Sequence, residues 1–384
     1  MNTHFTPRKK RLFRASQAAR ICTAIFIFSR GLAPLPAQEV WIAVRTDGEA
    51  GTGRRSDPFN GGTREKLDAL LPTIAPGSSI HFEAGTYVTG GIQAKEGWRM
   101  CGQGKDATTI KLAAGTLPGT PPGHGRAVIF EYDFQGFLRY FELSDLTLDC
   151  NREQQPAFQQ SLSGYWLEAW GIAAKSAKIT NVRALGTWAN PGEGFPCRVY
   201  HDGSNDPADR IEIVGCENLH PMGYLTAISV FDQSGGAVSG AIRRCLVTDH
   251  KDGSAFGAGG WRNFEVTDNV TQNVAIPIVI DTHDYRKVGI YRNRFLNCVA
   301  WGVLCNGGGV YEGIRICDNL FDMGPKAGPC VNTGNARVRL VVRRNTVVQI
   351  GAAEPIVSQG PHTVAALRGN VIRHRVIRNE GVTE

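Results

Sequence analysis

The stretch IYRNRF, residues 290–295, decides the fold, because it places Asn293 between apolar residues that favour a β-strand. Asparagine is a poor strand residue. The arrangement recurs downstream and upstream, with Cys245 in the same place in one copy; the other copies centre on Asn269, Asn319, Asn345 and Asn370. From Cys245 to Asn370 the intervals are 24, 24, 26, 26 and 25 residues. A period in this range predicts a solenoid.

The segments between the repeated asparagines indicate which solenoid this is. They are short β-rich runs such as IPIVI (276–280) and VRLVV (338–342), punctuated by glycine and asparagine. A coil of this length accommodates three short strands and three turns of a β-helix. Asparagine tolerates the left-handed backbone of tight turns, and stacked asparagines bond along an axis. We therefore expect Asn293 at a corner, with fainter copies at Cys216, Asn181 and Asp145.

The chain begins with the features of a secretory signal peptide. A basic stretch from Arg8 to Arg20 precedes the apolar run ICTAIFIF (21–28), and small residues and prolines follow. We predict a signal peptide over 1–37, cleavage after Ala37, and a secreted or periplasmic protein. The apolar run is too short to span a bilayer, so we expect no stable membrane span after cleavage. An uncleaved anchor is the alternative.

The net charge argues against nucleic acid as a partner, and the cysteine spacing gives no indication of a zinc site. The formal charge is +7, but residues 1–37 hold seven Lys/Arg and no acid, which leaves 35 bases against 35 acids. This balance argues against nucleic acid as a partner. Nine cysteines follow Cys22, and no CxxC spacing indicates zinc. We expect mostly buried free thiols, although an exported protein permits disulfides, with Cys216 and Cys245 as one candidate pair.

Residues 38–384 are predicted to form one domain, since each coil of a solenoid packs only on its neighbours. We place an N-terminal cap at about 40–75 and coils at about 76–375. The cap contains a predicted helix from about Arg64 to Leu71, with Thr63 as its N-cap and Pro72 just past its end.

Three early segments resemble the opening of the pectate-lyase-like right-handed β-helix proteins, namely 41–59 with its DPF motif, 78–92 with its GTY turn, and 98–112 with GQG followed by TTI. The resemblance implies an all-β chain: a single right-handed parallel β-helix of about ten coils with a short N-terminal capping helix. That superfamily includes lyases, hydrolases, epimerases and tailspikes, so its fold alone assigns no activity. The GHG motif at 123–125 precedes every acidic candidate, and in VIDTHD (279–284) His283 lies one residue later than in pectate lyases.

Counting forward from each corner predicts one row of side chains across neighbouring coils, made of Asp202, Asp232, Gly257, Asp281, Cys305 and Asn332. Adjacent strands are about 4.8 Å apart, which would separate Asp232 from Asp281 by about 9–10 Å. This distance lies near the upper limit for the two carboxyl groups of an inverting glycosidase. Gly257 and its small neighbours would form an open floor between them.

The ionisable residues around this row are the candidate catalytic groups: Asp232, Asp281, His283, His250, Lys251 and Arg286. The candidates for substrate binding are Asp284, Tyr285, Gly257, Trp166 and Trp170. For a metal, HDGSNDPAD (201–209) offers the oxygen ligands of Asp202, Asp206 and Asp209, which suit Ca²⁺. These residues are interpreted in three alternative ways: as a catalytic patch, as ordinary solvated turns, or as a calcium site.

These residues predict an exported polysaccharide-active protein, a glycoside hydrolase or polysaccharide lyase acting on a plant- or algal-type polysaccharide. In a hydrolase, Asp232 and Asp281 would be acid and base. In a lyase, Lys251 or Arg286 would abstract the proton beside a uronate carboxylate, with Ca²⁺ on the aspartates. We expect no required cofactor, with Ca²⁺ as the one candidate. The alternative is a non-catalytic glycan-binding or surface scaffold protein.

Overall fold

The chain winds into parallel coils, and each complete coil contributes a strand to three sheets, which we call the first, second and third sheets. The computed structural model describes residues 37–116, 126–131, 136–160, 166–189, 195–204, 206–232, 238–281, 284–307, 309–334, 336–350, 356–358 and 363–375. Within these ranges the architecture is the expected right-handed parallel β-helix. The predicted signal peptide lies outside the described residues, apart from Ala37.

The first sheet has ten strands among the described residues, which confirms the expected number of coils. One is the opening part of the long strand Trp166–Leu185, and the others are Ile92–Gln93, Arg126–Glu131, Cys197–His201, Thr226–Asp232, Ser254–Ala258, Ile276–Asp281, Val303–Asn306, Val331–Asn332 and Val357–Ser358. Each pairs in parallel with the strand one coil away.

The second sheet contains Glu39–Ala43, Ser79–Phe82, Arg99–Cys101, Ile211–Val214, Val238–Arg243, Trp261–Thr267, Tyr285–Tyr291, Val310–Cys317, Arg337–Arg343 and Thr363–Arg368. The third contains Gly85–Thr89, Thr108–Leu112, Glu217–Leu219, Leu246–Thr248, Val270–Val274, Arg294–Cys298, Leu320–Met323, Thr346–Ile350 and Val371–Arg375. The long strands Leu138–Asp149 and Trp166–Leu185 bend through both sheets. Short strands at Phe59–Asn60, Trp188–Ala189 and Met222–Gly223 complete the set.

The core lies inside the coils, where residues in register stack along the axis. Ile228, Phe256, Ile278 and Val303 form one such column in the first sheet, and each is 0% exposed. Burial of each of these side chains contributes about 1.5–3 kcal/mol. The alternation of strand residues determines which side chains enter the core and which face outward.

The repeated asparagines form a buried ladder, as the period predicted. The side chain of Asn293 donates to Oδ1 of Asn319 at 2.9 Å, and that of Asn319 donates to Oδ1 of Asn345 at 3.0 Å. Asn269 and Asn370 continue the ladder at its two ends, with side-chain bonds of 3.0 Å. An asparagine side chain suits this position because its amide group both donates to one neighbouring coil and accepts from the other.

Two details of the predicted corner were wrong. The left-handed backbone lies on the residue before each asparagine, such as Arg292 (φ 54°) and Asp318 (φ 62°). Asn181 is itself left-handed (φ 54°) and aligns with Gly215 rather than with Cys216. It donates instead to Asp145, at 2.7 Å, in a separate pair one position earlier. The asparagines of the ladder thus provide hydrogen bonds between coils. The residue before each asparagine adopts the left-handed conformation of the turn.

The N-terminal cap begins with the helix Arg64–Leu70, followed by the 3₁₀ turn Leu71–Thr73. The hydroxyl of Thr63 accepts from the Lys66 amide at 3.4 Å, which confirms the predicted N-cap. Leu67 and Leu71 are buried beneath the helix. Further short helical turns are Arg152–Gln154 and Pro156–Gln159.

The nine cysteines after Cys22 are all free thiols, and eight of them are buried. The expectation of small buried hydrophobic side chains is therefore confirmed, with the half-exposed Cys101 as the exception. In the part of the chain that the structure describes, no helix is long and apolar enough to cross a membrane.

Candidate functional site

The register of the first sheet corrects the predicted row of candidate residues. Asp232 pairs with His201 rather than with Asp202. Gly257 pairs with Ser229 and Val279, and so lies three positions before Asp232 along the sheet. Asp281 pairs with Asn306, whereas Cys305 pairs with Ile280. Asn332 pairs with Leu304.

The misplacement of Gly257 against Asp281 has a physical cause in the turn before Ser254. Leu246 pairs with Val270 and Ser254 with Ile276, so the first coil uses two more residues between these positions. Extending the register from Ser229 and Gly257 places Asp232 one position away from Asp281. Because neighbouring positions of a strand face opposite sides, the two carboxylates are not equivalent. Asp232 is in phase with the interior residue Val230 and is 0% exposed.

Two aromatic residues predicted to bind substrate lie in the core instead. Tyr285 is 0% exposed and packs edge-on against Trp261 and Tyr311, with ring centroids 6.0 and 5.0 Å apart. Trp170 is also 0% exposed. Both take inward-facing positions: Tyr285 alternates with the exposed Arg286, and Trp170 is in phase with the buried Ile172. For Tyr285 the charged neighbours Asp284 and Arg286 were the available signal of an inward position.

His250 is 1% exposed, and its imidazole contacts two backbone carbonyls of the preceding coil. Its Nε2 lies 2.6 Å from the Leu225 carbonyl and its Nδ1 lies 3.2 Å from that of Pro221. Burial lowers the pKa of this imidazole, and the two carbonyl contacts oppose the shift. These contacts give His250 a structural role in holding the extra residues before Ser254.

Three further predicted residues that the structure describes, Lys251, Arg286 and Asp284, lie at separate places. Lys251 is exposed in that same turn, and Arg286 is exposed on the second sheet, opposite Glu312. Asp284 accepts a hydrogen bond from the Val310 amide at 2.9 Å. His283 and the side chain of Asp281 lie outside the described residues.

A buried ion pair lies beside aromatic rings at the first sheet; we call this group the aromatic–ion-pair cluster, formed by Trp166, Glu168, Arg198, Tyr200 and Phe231. Nε of Arg198 lies 2.9 Å from Oε1 of Glu168, and their side chains are 6% and 0% exposed. The guanidinium lies 4.7 Å from the Tyr200 ring centroid and 5.5 Å from that of Trp166. It also donates to the Tyr200 hydroxyl at 2.6 Å.

Strand register brings this cluster together. Arg198 and Tyr200 alternate with the interior residue Val199, so both point outward. Tyr200 pairs with Phe231 of the next coil, and their rings meet edge-on at 5.8 Å. Tyr200 and Phe231 are half-buried. The cluster thus presents two partly accessible rings beside a buried charge pair.

The chemistry of the cluster is unusual for a structural surface. Removing two charges from water carries a large desolvation cost, and perturbed ionisable groups concentrate at functional sites. Burial raises the pKa of Tyr200, while the neighbouring Arg198 opposes the shift. The sequence analysis included Trp166 but missed Glu168, Arg198 and Tyr200. The available signal was Glu168 itself, an acid inside the apolar run WLEAWGI (166–172).

A second group, which we call the histidine–aspartate cluster, consists of His201, Asp202 and Asp209. Each offers one metal-ligating atom, and these atoms lie within 4.8 Å of one another. The predicted metal set is therefore brought together only in part, because Asp206 is exposed and is not a member of this group. The Lys175 ammonium lies 3.3 Å from Asp202, and the Ser204 hydroxyl donates to Asp209 at 2.5 Å.

The ionisation of this cluster follows from burial and charge. Burial lowers the pKa of His201 and outweighs the opposing effect of the nearby Asp202, Asp232 and Asp209. Burial would raise the pKa of Asp202, but hydrogen bonds from Ser204 and the Lys175 ammonium hold it below its usual value. One imidazole and two carboxylates fit a transition-metal ion better than Ca²⁺, which prefers oxygen ligands alone.

No family model and no curated protein matches this chain. Among solved structures, the polygalacturonase of Erwinia carotovora ssp. carotovora is similar at 9% identity and a TM-score of 0.48, covering 93% of this chain and 100% of that one. PfbA, a surface adhesin of Streptococcus pneumoniae, is similar at 12% identity and a TM-score of 0.47, covering 89% and 96%.

The A-module of the mannuronan C-5 epimerase AlgE6 of Azotobacter vinelandii is similar at 12% identity and a TM-score of 0.39, covering 81% of this chain and 94% of that module. These activities are those of the named proteins. By its three parallel sheets, the ten strands of its first sheet among the described residues and its capping helix, this chain is a right-handed parallel β-helix.

Proposed function

We propose that the protein is exported and that it binds and cleaves a polysaccharide on the outer face of the first sheet. The observation that carries this proposal is the buried Glu168–Arg198 pair beside the half-buried rings of Tyr200 and Phe231. Binding sites for small molecules and chains combine apolar walls with a few fixed polar groups. The rings provide surfaces for the C–H faces of sugars, and the guanidinium provides hydrogen-bond donors fixed in direction.

The row containing Tyr200 and Phe231 extends along the helix axis toward Asp281. Continuing the strand register places Gly259 after Phe231 and Asp281 after Gly259. Glycine leaves this row without a side chain between the rings and the carboxylate position. We therefore retain Asp281 as a proposed general acid or base and add Glu168 and Arg198 as groups that position the substrate.

Hydrolysis and elimination differ in what the other groups do. A hydrolase needs a second carboxylate, for which Asp232 remains the proposed group, and His283 remains a proposed group that tunes the two carboxylates. A lyase needs a base beside a neutralised uronate carboxylate, for which Lys251 or Arg286 remains proposed. The polysaccharide type, plant or algal, also stays part of the proposal.

The test is to incubate the purified protein with a panel of neutral and uronate polysaccharides. Reducing ends and the ultraviolet absorbance of unsaturated products are measured separately. A lyase raises both signals, and a hydrolase raises reducing ends alone. We expect Asp281→Asn to lower the rate at least about a hundredfold. Tyr200→Ala should weaken binding, whereas Tyr224→Ala, at an exposed tyrosine outside the cluster, should not.

Binding without any product would identify a glycan-binding scaffold and overturn the catalytic part of the proposal. Binding that survives Tyr200→Ala unchanged would overturn the location. Export is tested by N-terminal sequencing of protein recovered from the extracytoplasmic fraction. We expect the mature chain to begin at Gln38, and an intact N-terminus in that fraction would contradict the proposed cleavage.

A further inference from the structure

The outer face of the second sheet carries an uncommon concentration of arginines in the last three coils that the structure describes. The strands involved are Val310–Cys317, Arg337–Arg343 and Thr363–Arg368. Their exposed arginines form what we call the arginine face: Arg315, Arg337, Arg339, Arg343 and Arg368. The same strands contain one acidic residue, Glu312, and no lysine.

Strand periodicity and register place these arginines on one surface. Along Arg337–Arg343, exposed and buried residues alternate strictly, with Val338, Leu340 and Val342 inside. Arg343 pairs with Arg368 of the next coil, and Arg315 pairs with Val341. Arg337, Arg339 and Arg343 thus follow one strand, across the helix axis, and adjacent strands are about 4.8 Å apart. Arg315 and Arg368 extend this basic strip by one coil on either side.

Within the described part of the protein, the charge of this strip is balanced only in part, by Glu312 and by Asp318, whose pKa is lowered chiefly by Arg344 and also by Arg343. At the neighbouring corner, Arg344 and Arg292 bind Asp318 and Asp268 at 2.6 and 2.8 Å. Among the described residues, by contrast, none of the five arginines of the arginine face forms an ion pair. Like charges held this close repel one another, and an anionic partner would relieve that repulsion.

The strip also has a shape suited to a chain-like ligand. A groove of about 290 Å³ crosses the start of the three strands and is lined by Val310, Glu312, Arg337, Arg339, Thr363 and Val364, among others. Val364 is 63% exposed and Val341 is 37% exposed. Aliphatic surface thus lies between the charged groups, where the C–H faces of sugar rings would pack.

We propose that the arginine face binds an acidic polysaccharide, one that carries carboxylate or sulfate groups. Arginine's planar fork matches these groups with two parallel hydrogen bonds, and all five cations here are arginines. Single-stranded nucleic acid is bound mainly on exposed aromatic rings. The three strands contain one aromatic residue, Tyr311, and it is 0% exposed. The face therefore favours a polyanionic glycan over nucleic acid.

This surface lies on a different sheet from the aromatic–ion-pair cluster, and its argument does not depend on cleavage. If both proposals hold, the arginine face supplies a second contact for the same type of polymer. Two linked contacts raise overall affinity through effective concentration. The proposal then specifies the substrate class as acidic rather than neutral polysaccharide.

The experiment measures binding of the full chain to polygalacturonate, alginate, dextran sulfate, neutral dextran, a DNA oligonucleotide and vesicles containing phosphatidylglycerol, at low and high salt. The test variant is Arg337→Glu/Arg339→Glu/Arg343→Glu. The matched control, Lys66→Glu/Arg294→Glu/Lys326→Glu, makes the same change of charge at exposed positions off the second sheet. Thermal melting and circular dichroism verify the fold, and the triple Arg→Gln variant removes charge without reversing it.

We expect salt-sensitive binding to at least one acidic glycan, no binding to neutral dextran, and a loss of at least about tenfold in the Arg→Glu variant but not in the control. Binding that is equal in all variants overturns the proposal, as does the absence of binding to every acidic glycan. DNA or vesicles bound as tightly as the glycans would also overturn it. Cleavage assays on the same variants test the proposed active site independently, so that a failure of one proposal is distinguished from a failure of the other.

Discussion

The Nε of Arg198 lies 2.9 Å from Oε1 of Glu168, and both side chains are almost completely removed from solvent. Breaking a buried pair by removing one partner leaves an uncompensated charge, at a cost of about 3–5 kcal/mol. We therefore expect Arg198→Met to lower the melting temperature strongly. The double variant Glu168→Gln/Arg198→Met removes both charges and should recover a large part of that loss. Equal melting temperatures for the single and double variants would contradict a coupled pair.

Asn319 is the middle of the asparagine ladder, and its side chain bonds to coils on both sides. It donates to Asn345 and to the carbonyl of Ile290, and it accepts from Asn293. Each buried group left without a partner costs about 1–3 kcal/mol, so Asn319→Leu should lower the melting temperature clearly. Arg294→Leu, at an exposed position next to the ladder, serves as the control. A ladder variant as stable as this control would show that the bonds contribute nothing.

The buried imidazole of His201 predicts a dependence of stability on pH. Its pKa in the folded chain lies below the ordinary value of about 6.5, so the unfolded chain binds more protons as pH falls through that value. The free energy of unfolding should therefore decrease as pH falls from about 7 to about 5.5. Thermal melts should show a smaller decrease in His201→Gln than in the wild-type protein. His250, whose pKa burial also lowers, accounts for part of the remaining decrease.

Cys101 should be the one cysteine among residues 38–384 that reacts in the native protein. It is half-exposed, and its sulfur lies 3.1 Å from Nδ1 of His81. Burial and the nearby acids Asp145 and Glu142 raise its pKa, so the reactive thiolate is scarce at neutral pH. Titration with a thiol reagent should therefore be slow near pH 7 and faster at higher pH. The signal should disappear in Cys101→Ser, and several fast-reacting thiols would contradict the buried positions of the others.

The histidine–aspartate cluster gives a prediction about metals. Lys175 and Ser204 already bind its carboxylates, so we expect chelators to leave the melting temperature unchanged. Its donor set should make Zn²⁺ more effective than Ca²⁺ in raising that temperature. Asp209→Asn should abolish the effect, and Asp206→Asn should preserve it. Stabilisation by Ca²⁺ that requires Asp206 would instead support the oxygen-ligand site predicted from residues 201–209.

The sequence by itself determined the solenoid, the asparagine ladder and the capping helix. These features depend on residues that recur at a fixed spacing or lie next to one another in the chain. Asn293 and Asn319 are 26 residues apart because one coil has that length, and Thr63 is beside the helix that it caps. Local hydrogen-bonding chemistry and periodicity therefore suffice to predict them.

Only the tertiary structure decided which side chains meet on the outer faces. Two extra residues before Ser254 shift the register, and a shift of one position exchanges the inner and outer faces of a strand. Asp232 lies one position off the row of Asp281, and Tyr285 and Trp170 take inward-facing positions of their own strands, in the core. Glu168 and Arg198 are 30 residues apart and share no motif. They form an ion pair because the strand Trp166–Leu185 pairs with the strand Cys197–His201 of the next coil. Turn length, which no repeat pattern fixes, determines that alignment.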